Sequence, residues 1–376
     1  MRLTKLQQET LDLFNSGMGV TQIADKLGVN HGLISRRLKE IKVKASREGA
    51  DLGFHVIGKS IYGELEQTDG SYKMGWVKTK KDVDDIEETA SAIVESLNSQ
   101  IHRKKKTPKP KIAKNHTGYM ESVIFGDPHL NMRAWHREVG ASWNLKIAIK
   151  RHTEGMLDLI ENSLPAHTGR LISLGDLLHA DSLRPVTLNQ TAVDVDGRMS
   201  MAIDDIVEFL RHCIDLMLEK YIHVDVVLAR GNHSPTIELL ISKMLRIAYE
   251  KEPRITVVDN TAQHIPLPFE KNFQLITHGQ GLSHQKKADI ATSIYKDLHG
   301  AASFTHVLSG HLHHHDSKTL SGVRSEIFEI LPTMDSWHFE SGFVTSDQSC
   351  CIIRYHPKGG IQDQHYYNPR FYIGEK

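Results

Sequence analysis

The segment Ser122-Val-Ile-Phe-Gly-Asp-Pro-His129 carries four strand-forming residues straight into a turn that bears an acid and a histidine. A short apolar run ended by Gly and Pro reads as a strand buried on both faces. The same construction recurs four times downstream. Arg170-Leu-Ile-Ser-Leu174 leads into Gly175-Asp176-Leu-Leu-His179, and Val224-Asp-Val-Val-Leu-Ala229 leads into Gly231-Asn232-His233. Phe273-Gln-Leu-Ile-Thr277 leads into His278-Gly279, and Thr305-His-Val-Leu-Ser309 leads into Gly310-His311-Leu312-His313. A further strand is expected at 255–258, and 3.6-residue spacing predicts helices over 147–163, 200–220 and 236–250. Short strands alternating with longer helices give an α/β layered architecture, whose sites lie at the carboxyl ends of strands.

The rest of the composition sets bounds. The 376 residues, 39% apolar and 24% charged, suit a soluble chain of two or three domains. No apolar run approaches the roughly 20 residues that span a bilayer, and Met1 to Gln8 lacks a signal-peptide segment, so no membrane is expected. Three cysteines, two of them adjacent, make no disulfide framework and point to a reducing cytoplasm. With 46 basic and 46 acidic residues, global charge says nothing about nucleic acid. Its distribution does: from Ser99 to Met120 there is no acid, while Arg103, Lys104, Lys105, Lys106, Lys109, Lys111 and Lys114 are basic. That stretch reads as a linker, either a solvated tether or a phosphate-binding arm.

Residues 3–46 read as three helices. Leu6, Leu11 and Phe14 share one face, Gly17 to Gly19 form a break, and Gly28 supplies a turn between Val20–Leu27 and Asn30–Ile41. This resembles a helix-turn-helix. Its last helix would present Asn30, His31, Ser35, Arg36, Arg37 and Lys39 to base edges and phosphates; a three-helix bundle used only for packing or dimerisation is the alternative. Strands at 54–62 and 72–79 around Thr68-Asp-Gly-Ser71 predict a hairpin, and 82–97 has helical spacing. The expected layout is therefore 1–48 helix-turn-helix, 49–98 hairpin and helix connector, 99–117 basic linker and 118–376 catalytic domain.

In order, the five strand-end segments resemble the signature of the calcineurin-like metallophosphoesterases: Asp-x-His, Gly-Asp-x-x-(Asp or His), Gly-Asn-His, His and Gly-His-x-His. The resemblance covers about two thirds of the chain. It implies a layered β-sandwich flanked by helices and two divalent cations. Asp127, His129 and His313 would hold the first ion, Asn232, His278 and His311 the second, with Asp176 bridging. Mixed nitrogen and oxygen donors suit manganese, with iron or zinc as alternatives. His233 matches the family histidine that contacts the phosphate oxygen or protonates the leaving group. Gly-Asp-Leu-Leu-His179 resembles the double-strand-break-repair nucleases, where that histidine serves diester hydrolysis and protein phosphatases carry aspartate. Ser234 departs from the acid that often follows Gly-Asn-His. His314 and His315 extend a run that cannot aim four successive side chains at one ion, so they are expected at the surface or behind the ligands. His136, His284, His299 and His338 have no spacing argument and are read as structural or substrate-facing.

Two long loops, 130–146 and 181–200, should wall the cleft. They carry Arg133, Trp135, His136, Arg137, Trp143, Arg184 and Arg198; Trp135 and Trp143 either stack on bases or plug the loops. The whole layout is similar to helix-turn-helix-bearing metallophosphoesterases of bacteriophages. The expectation is a phosphodiesterase, a nuclease acting on DNA in the cytoplasm or host cytoplasm, with room for a homodimer. The alternatives are a phosphoesterase for nucleotides, cyclic dinucleotides or phosphoproteins with an adaptor domain, or a DNA-binding regulator with an inactive phosphoesterase domain.

Overall fold

The structure, a computed structural model, describes residues 4–15, 18–48, 59–66, 72–79, 103–116, 118–342, 344 and 346–371. Two compact units divide the chain, Met1–Asp85 and Ile86–Lys376.

In the first unit, α1 (Lys5–Asn15), α2 (Val20–Leu27) and α3 (His31–Glu48) enclose a small core of Ile23, Ala24, Ile34 and Leu38, with Leu13, Phe14 and Val29 packed on it. Gly28 ends α2 in the left-handed region at φ 61°, which a residue without a Cβ adopts at no steric cost. Strands β1 (Lys59–Glu66) and β2 (Tyr72–Thr79) pair antiparallel, Lys59 against Thr79 and Glu66 against Tyr72. β1 thus reaches four residues past its expected end at 62, because its pairing with β2 continues to Glu66. The expected turn at 68–71 and helix at 82–97 lie outside the described residues.

The second unit is a four-layer sandwich. One sheet has the order β13-β12-β3-β4-β5-β6 and the other β10-β11-β9-β8-β7. β3 (Met120–Phe125), β4 (Thr168–Ser173), β5 (His223–Leu228) and β6 (Ile255–Val257) run parallel, flanked by antiparallel β12 (Cys350–Tyr355) and β13 (Ile361–Tyr367). In the second sheet β8 (Asn272–Thr277), β9 (Phe304–Ser309) and β11 (Val323–Ile327) run parallel, edged by antiparallel β7 (His264–Phe269) and β10 (Asp316–Leu320). Every residue of β3, β4, β8 and β12 is buried, polar ones such as Arg170 and Gln274 included, as befits strands covered on both faces.

Met120, Ile124, Ile172 and Val227 of the first sheet meet Ile265, Ile276 and Leu308 of the second in one inter-sheet core. Arg170 crosses this core, donating to Asp225 and, at 2.5 Å, to Gln274, which donates in turn to Ser122. Helices Leu145–Asn162, Met199–Lys220 and Pro235–Ala248, close to their expected bounds, cover the outer face of the first sheet, and His284–Asp289 and Lys296–Ala301 cover the second. Asn144 caps its helix by accepting from the Ile147 N–H at 2.9 Å.

Residues 103–110 do not extend freely into solvent. Arg103 pairs with Glu250, Lys104 with Asp215 at 2.8 Å, and Thr107 donates twice to Glu252. Lys105, Lys106, Lys109, Lys111 and Lys114 face solvent. Among the described residues, no helix is long and apolar enough to cross a membrane.

Candidate metal centre

The carboxyl ends of β3, β4 and β5 in one sheet and of β8 and β9 in the other converge, and each delivers one expected segment. Three groups of ligand-type atoms result: Asp127 with His129 and His313; Asp176 with His278 and His311; and His129 with His179 and His233. All seven residues expected to hold ions are brought together. His313 Nε2 lies 3.1 Å from Asp127 Oδ2 and 3.4 Å from His129 Nε2. His278 Nε2 lies 2.7 Å from Asn232 Oδ1 and 3.2 Å from Asp176 Oδ2.

The backbone bends hard to achieve this. His129 (φ 39°), Asp176 (φ 49°), His311 (φ 74°) and His313 (φ 57°) all occupy the left-handed region. Non-glycine residues rarely adopt it, and such strain persists where a site over-determines the geometry. Two glycines allow the close approach. A Cβ on Gly231 would stand 1.9 Å from Asp176 Oδ1, and one on Gly310 would stand 2.0 Å from Asp127 Oδ1.

A cation fits this donor set on the protein's own hydrogen bonding. Asp127 is 1% exposed, and its Oδ2 accepts from the His311 N–H at 2.7 Å. Its Oδ1 is buried with no hydrogen-bond partner. His278 Nδ1 is 3.6 Å from that oxygen, yet its hydrogen bond runs to the Leu174 carbonyl at 3.0 Å. An orphaned carboxylate oxygen in such a place calls for a positive ligand. Electrostatics agree. Burial acts to lower the pKa of His278, but Asp176 and Asp127 overcome it and lift it to about 10, a measure of the negative charge gathered here. Burial first, then neighbouring histidines, holds His129 well below its ordinary value and His311 at about 4; both are the neutral imidazoles that metals bind.

His233 sits at the edge of the cluster. Its N–H donates to Asp176 Oδ1 at 2.7 Å, and its Nδ1 pairs with the His179 carbonyl at 3.0 Å, so Nε2 is the ring nitrogen left for another partner. The His179 ring stacks on it, centroids 4.8 Å apart and 21° from parallel. His179 is itself buried, with Nδ1 3.1 Å from His129 Nδ1 and Nε2 3.6 Å from Asp335 Oδ2. Burial, then His233, lowers its pKa to about 3.

Sequence reading missed three residues. Glu238, buried one helical turn past Ser234, accepts from the Leu177 and Gly231 N–H groups (2.7 and 2.6 Å) and from Ser234 Oγ (3.2 Å). It ties the β4 and β5 loops together without touching His233, so the acid absent at 234 is supplied four residues later in a bracing role. Asp335 accepts from the His338 N–H at 2.8 Å and pairs with His338 Nδ1 at 2.7 Å. His338, without a spacing argument in the sequence, stacks on His313 at 5.0 Å and 25°. A buried glutamate at i+4 and an Asp-x-x-His turn were the only local signals.

Other candidates fall elsewhere. Trp143 is 3% exposed with Nε1 donating to the His129 carbonyl, so it plugs the loop and is unavailable for stacking on a base. Trp135 is 46% exposed beneath the Arg137 guanidinium. His314 is exposed and His315 pairs with Glu326 at 3.0 Å. His284 and His299 bond to Ser325 and Thr305, and His136 lies against Ser142. In the first unit Asn30, His31, Ser35 and Arg36 are exposed and Arg37 is half-buried; Asn30 Oδ1 also accepts from the Gly32 N–H at 2.7 Å. Lys39 lies on α3, its side chain outside the described set.

No protein-family model matches the chain, and no curated protein matches it. Among solved structures it is similar to an archaeal phosphodiesterase (14% identity, 66% of this chain and 100% of that one, TM-score 0.33). It is also similar to a conserved, predicted phosphoesterase of Streptococcus pneumoniae TIGR4 (7%, 69% and 99%, 0.27) and to wild-type Vps29 of Entamoeba histolytica complexed with zinc (11%, 66% and 99%, 0.26). At such TM-scores a likeness assigns no function.

Proposed function

We propose that the Ile86–Lys376 unit is a two-metal phosphodiesterase that hydrolyses DNA, and that the N-terminal helices add contacts to the nucleic acid. The observation that carries this reading is the convergence of two adjacent donor groups, Asp127/His129/His313 and Asp176/His278/His311, on a carboxylate with an orphaned buried oxygen. Asn232 joins the second group, and Asp176, with one oxygen toward His278 and the other on the His233 N–H, would bridge the two ions. Manganese is the preferred ion, since mixed N and O donors suit it and the orphan is a hard oxygen. When bound, a pair of such ions polarises a phosphoryl oxygen and supplies hydroxide near neutral pH.

The chain's own residues then divide the remaining work. Trp143 and the loop carbonyl it holds fix His129, and Glu238 fixes the turns that carry Asp176 and Asn232. His233, with Nδ1 engaged by a carbonyl, offers Nε2 to a phosphoryl or leaving oxygen. His179 braces His233 from behind by stacking, which is why it stands among the residues serving the reaction. Asn30, His31, Ser35, Arg36, Arg37 and Lys39 are the proposed contacts of the first unit with DNA. Three buried free cysteines suit a reducing cytoplasm.

The test is a substrate panel. Manganese-loaded protein is offered linear duplex, single-stranded and circular DNA beside bis-para-nitrophenyl phosphate and para-nitrophenyl phosphate. Hydrolysis of DNA and of the diester ahead of the monoester is expected. An outright preference for the monoester would remove the nuclease assignment and favour a nucleotide or phosphoprotein substrate.

A further inference from the structure

The segment Asp335–Phe339 belongs to none of the five motif loops, yet it is tied to the metal centre at two points. Asp335 Oδ1 holds His338 through both its backbone N–H and its ring, and Oδ2 faces His179 Nε2. His338 in turn lies flat on His313. Trp337, edge-on to His338 with centroids 5.0 Å apart, is 61% exposed, and Phe339 is 46% exposed. The short helix His136–Val139, preceded by the exposed Trp135, packs against this segment. Leu312, between two expected ligands, is 49% exposed. Trp337 and Phe339 therefore expose large rings close to the expected ligand His313, on a segment anchored by the Asp335 carboxylate.

We propose that Asp335–Phe339 forms a subsite for the nucleobase next to the scissile phosphate, with Trp337 as its stacking surface and Asp335 and His338 as the clamp that positions it. This rests on the phosphodiesterase reading. A nucleobase fits better than a lipid chain for two reasons. The exposed rings sit on separate short elements with polar anchors between them, which suits a planar ligand with a polar edge. The Arg137 guanidinium over Trp135 adds positive charge at the same rim, complementary to a polyanion. The consequence is a preference for single-stranded or frayed ends, because a base must leave its stack to reach the ring.

The experiment uses the full chain loaded with manganese and measures binding by calorimetry, so turnover is not the readout. The ligands are deoxyadenosine 5′-monophosphate and 2-deoxyribose 5-phosphate, which differ only in the base. Wild type should bind the nucleotide more tightly. Trp337→Ala should remove roughly 5- to 150-fold of affinity for it, the span that about 1–3 kcal/mol of base stacking corresponds to. Affinity for the sugar phosphate should change less than about twofold, the rim ring making no contact with it. Trp337→Phe should restore most of the loss and rule out misfolding as its cause. Equal affinity of wild type for both ligands, or equal loss of both in Trp337→Ala, would overturn the subsite while leaving the ion site and the phosphoesterase reading intact. Failure of wild type to bind either ligand would instead sink the phosphoesterase reading. Sedimentation with phosphatidylglycerol vesicles, abolished by Trp337→Ala, would assign the rim to a membrane surface and refute the base.

Discussion

The two ends of the six-stranded sheet are built from the same strands and treat their polar groups in opposite ways. At the amino end, Arg254 is 4% exposed and donates to the carbonyls of Ile222, Tyr221 and Pro108 and to Thr107 Oγ1. Glu121 there pairs with Arg354 at 2.9 Å and accepts from the Tyr221 hydroxyl at 2.7 Å. At the carboxyl end, four residues are held in a left-handed backbone, imidazoles crowd one another, and Asp127 keeps an oxygen without a partner. Both ends are buried, so exposure does not separate them. What separates these two sets of groups is completeness: the polar atoms of Arg254 and Glu121 are satisfied where they only close the fold, and one oxygen of Asp127 is left open where an incoming ion would complete it.

This contrast gives three expectations, taken from the largest effect down. Asp176→Ala removes the carboxylate of the second donor group, the proposed bridge between the two ions, so ion occupancy, read by elemental analysis, and diester turnover should collapse together. The loss should exceed roughly 1000-fold, about 4 kcal/mol. Full activity in that variant would end the two-ion reading and make the carboxyl end merely strained.

Arg254→Ala attacks the complete end instead. Stranding several buried carbonyls should cost about 2–4 kcal/mol of stability, visible as a lowered urea midpoint, while ion content and turnover per folded molecule stay at the wild-type level. Residues 103–110 would also loosen, since Arg254 and Glu252 hold them. A fall in ion affinity would show that the two ends are coupled through the sheet.

His179→Ala should have the smallest effect and the most selective one. His179 reaches the reaction through the stacked His233, and a loosened His233 matters most when the leaving oxygen is a poor one. The variant should lose about tenfold more on DNA than on para-nitrophenyl phosphate, a differential of about 1.4 kcal/mol. Equal losses on both, with reduced ion content, would mean that it only props His129.

The carboxyl end was the legible one. Its segments combine a buried strand with Gly, Asp, Asn or His at fixed spacing, and such local patterns survive in a linear sequence. Six core strands and three long helices of the second unit were readable for the same reason. The bracing around the site was not. Glu238 reaches loops 61 and 7 residues away, and Asp335 meets His179 across more than 150 positions, partnerships that only folding creates. Trp143 and Trp337 could not be sorted by type, because burial depends on which loop closes over which ring. The left-handed residues His129, Asp176, His311 and His313 are themselves not glycines, so residue type does not announce their backbone. In the first unit the three helices were visible through their breaks at Gly17 to Gly19 and at Gly28, whereas the helix expected over 82–97 falls on residues outside the described ones.

The bare hydrogen of Gly310 has one more implication. A methyl group there would meet Asp127 Oδ1 at 2.0 Å and otherwise only side-chain atoms beyond 3 Å, so it would turn that carboxylate aside while leaving the surrounding chain room to stay in place. If the phosphodiesterase proposal holds, Gly310→Ala would thus lose the Asp127 ligand and with it turnover, while every other liganding side chain stays present. Such a protein is what is needed to capture an uncut substrate, since the groups that would recognise it are untouched and only the means of cutting is withdrawn.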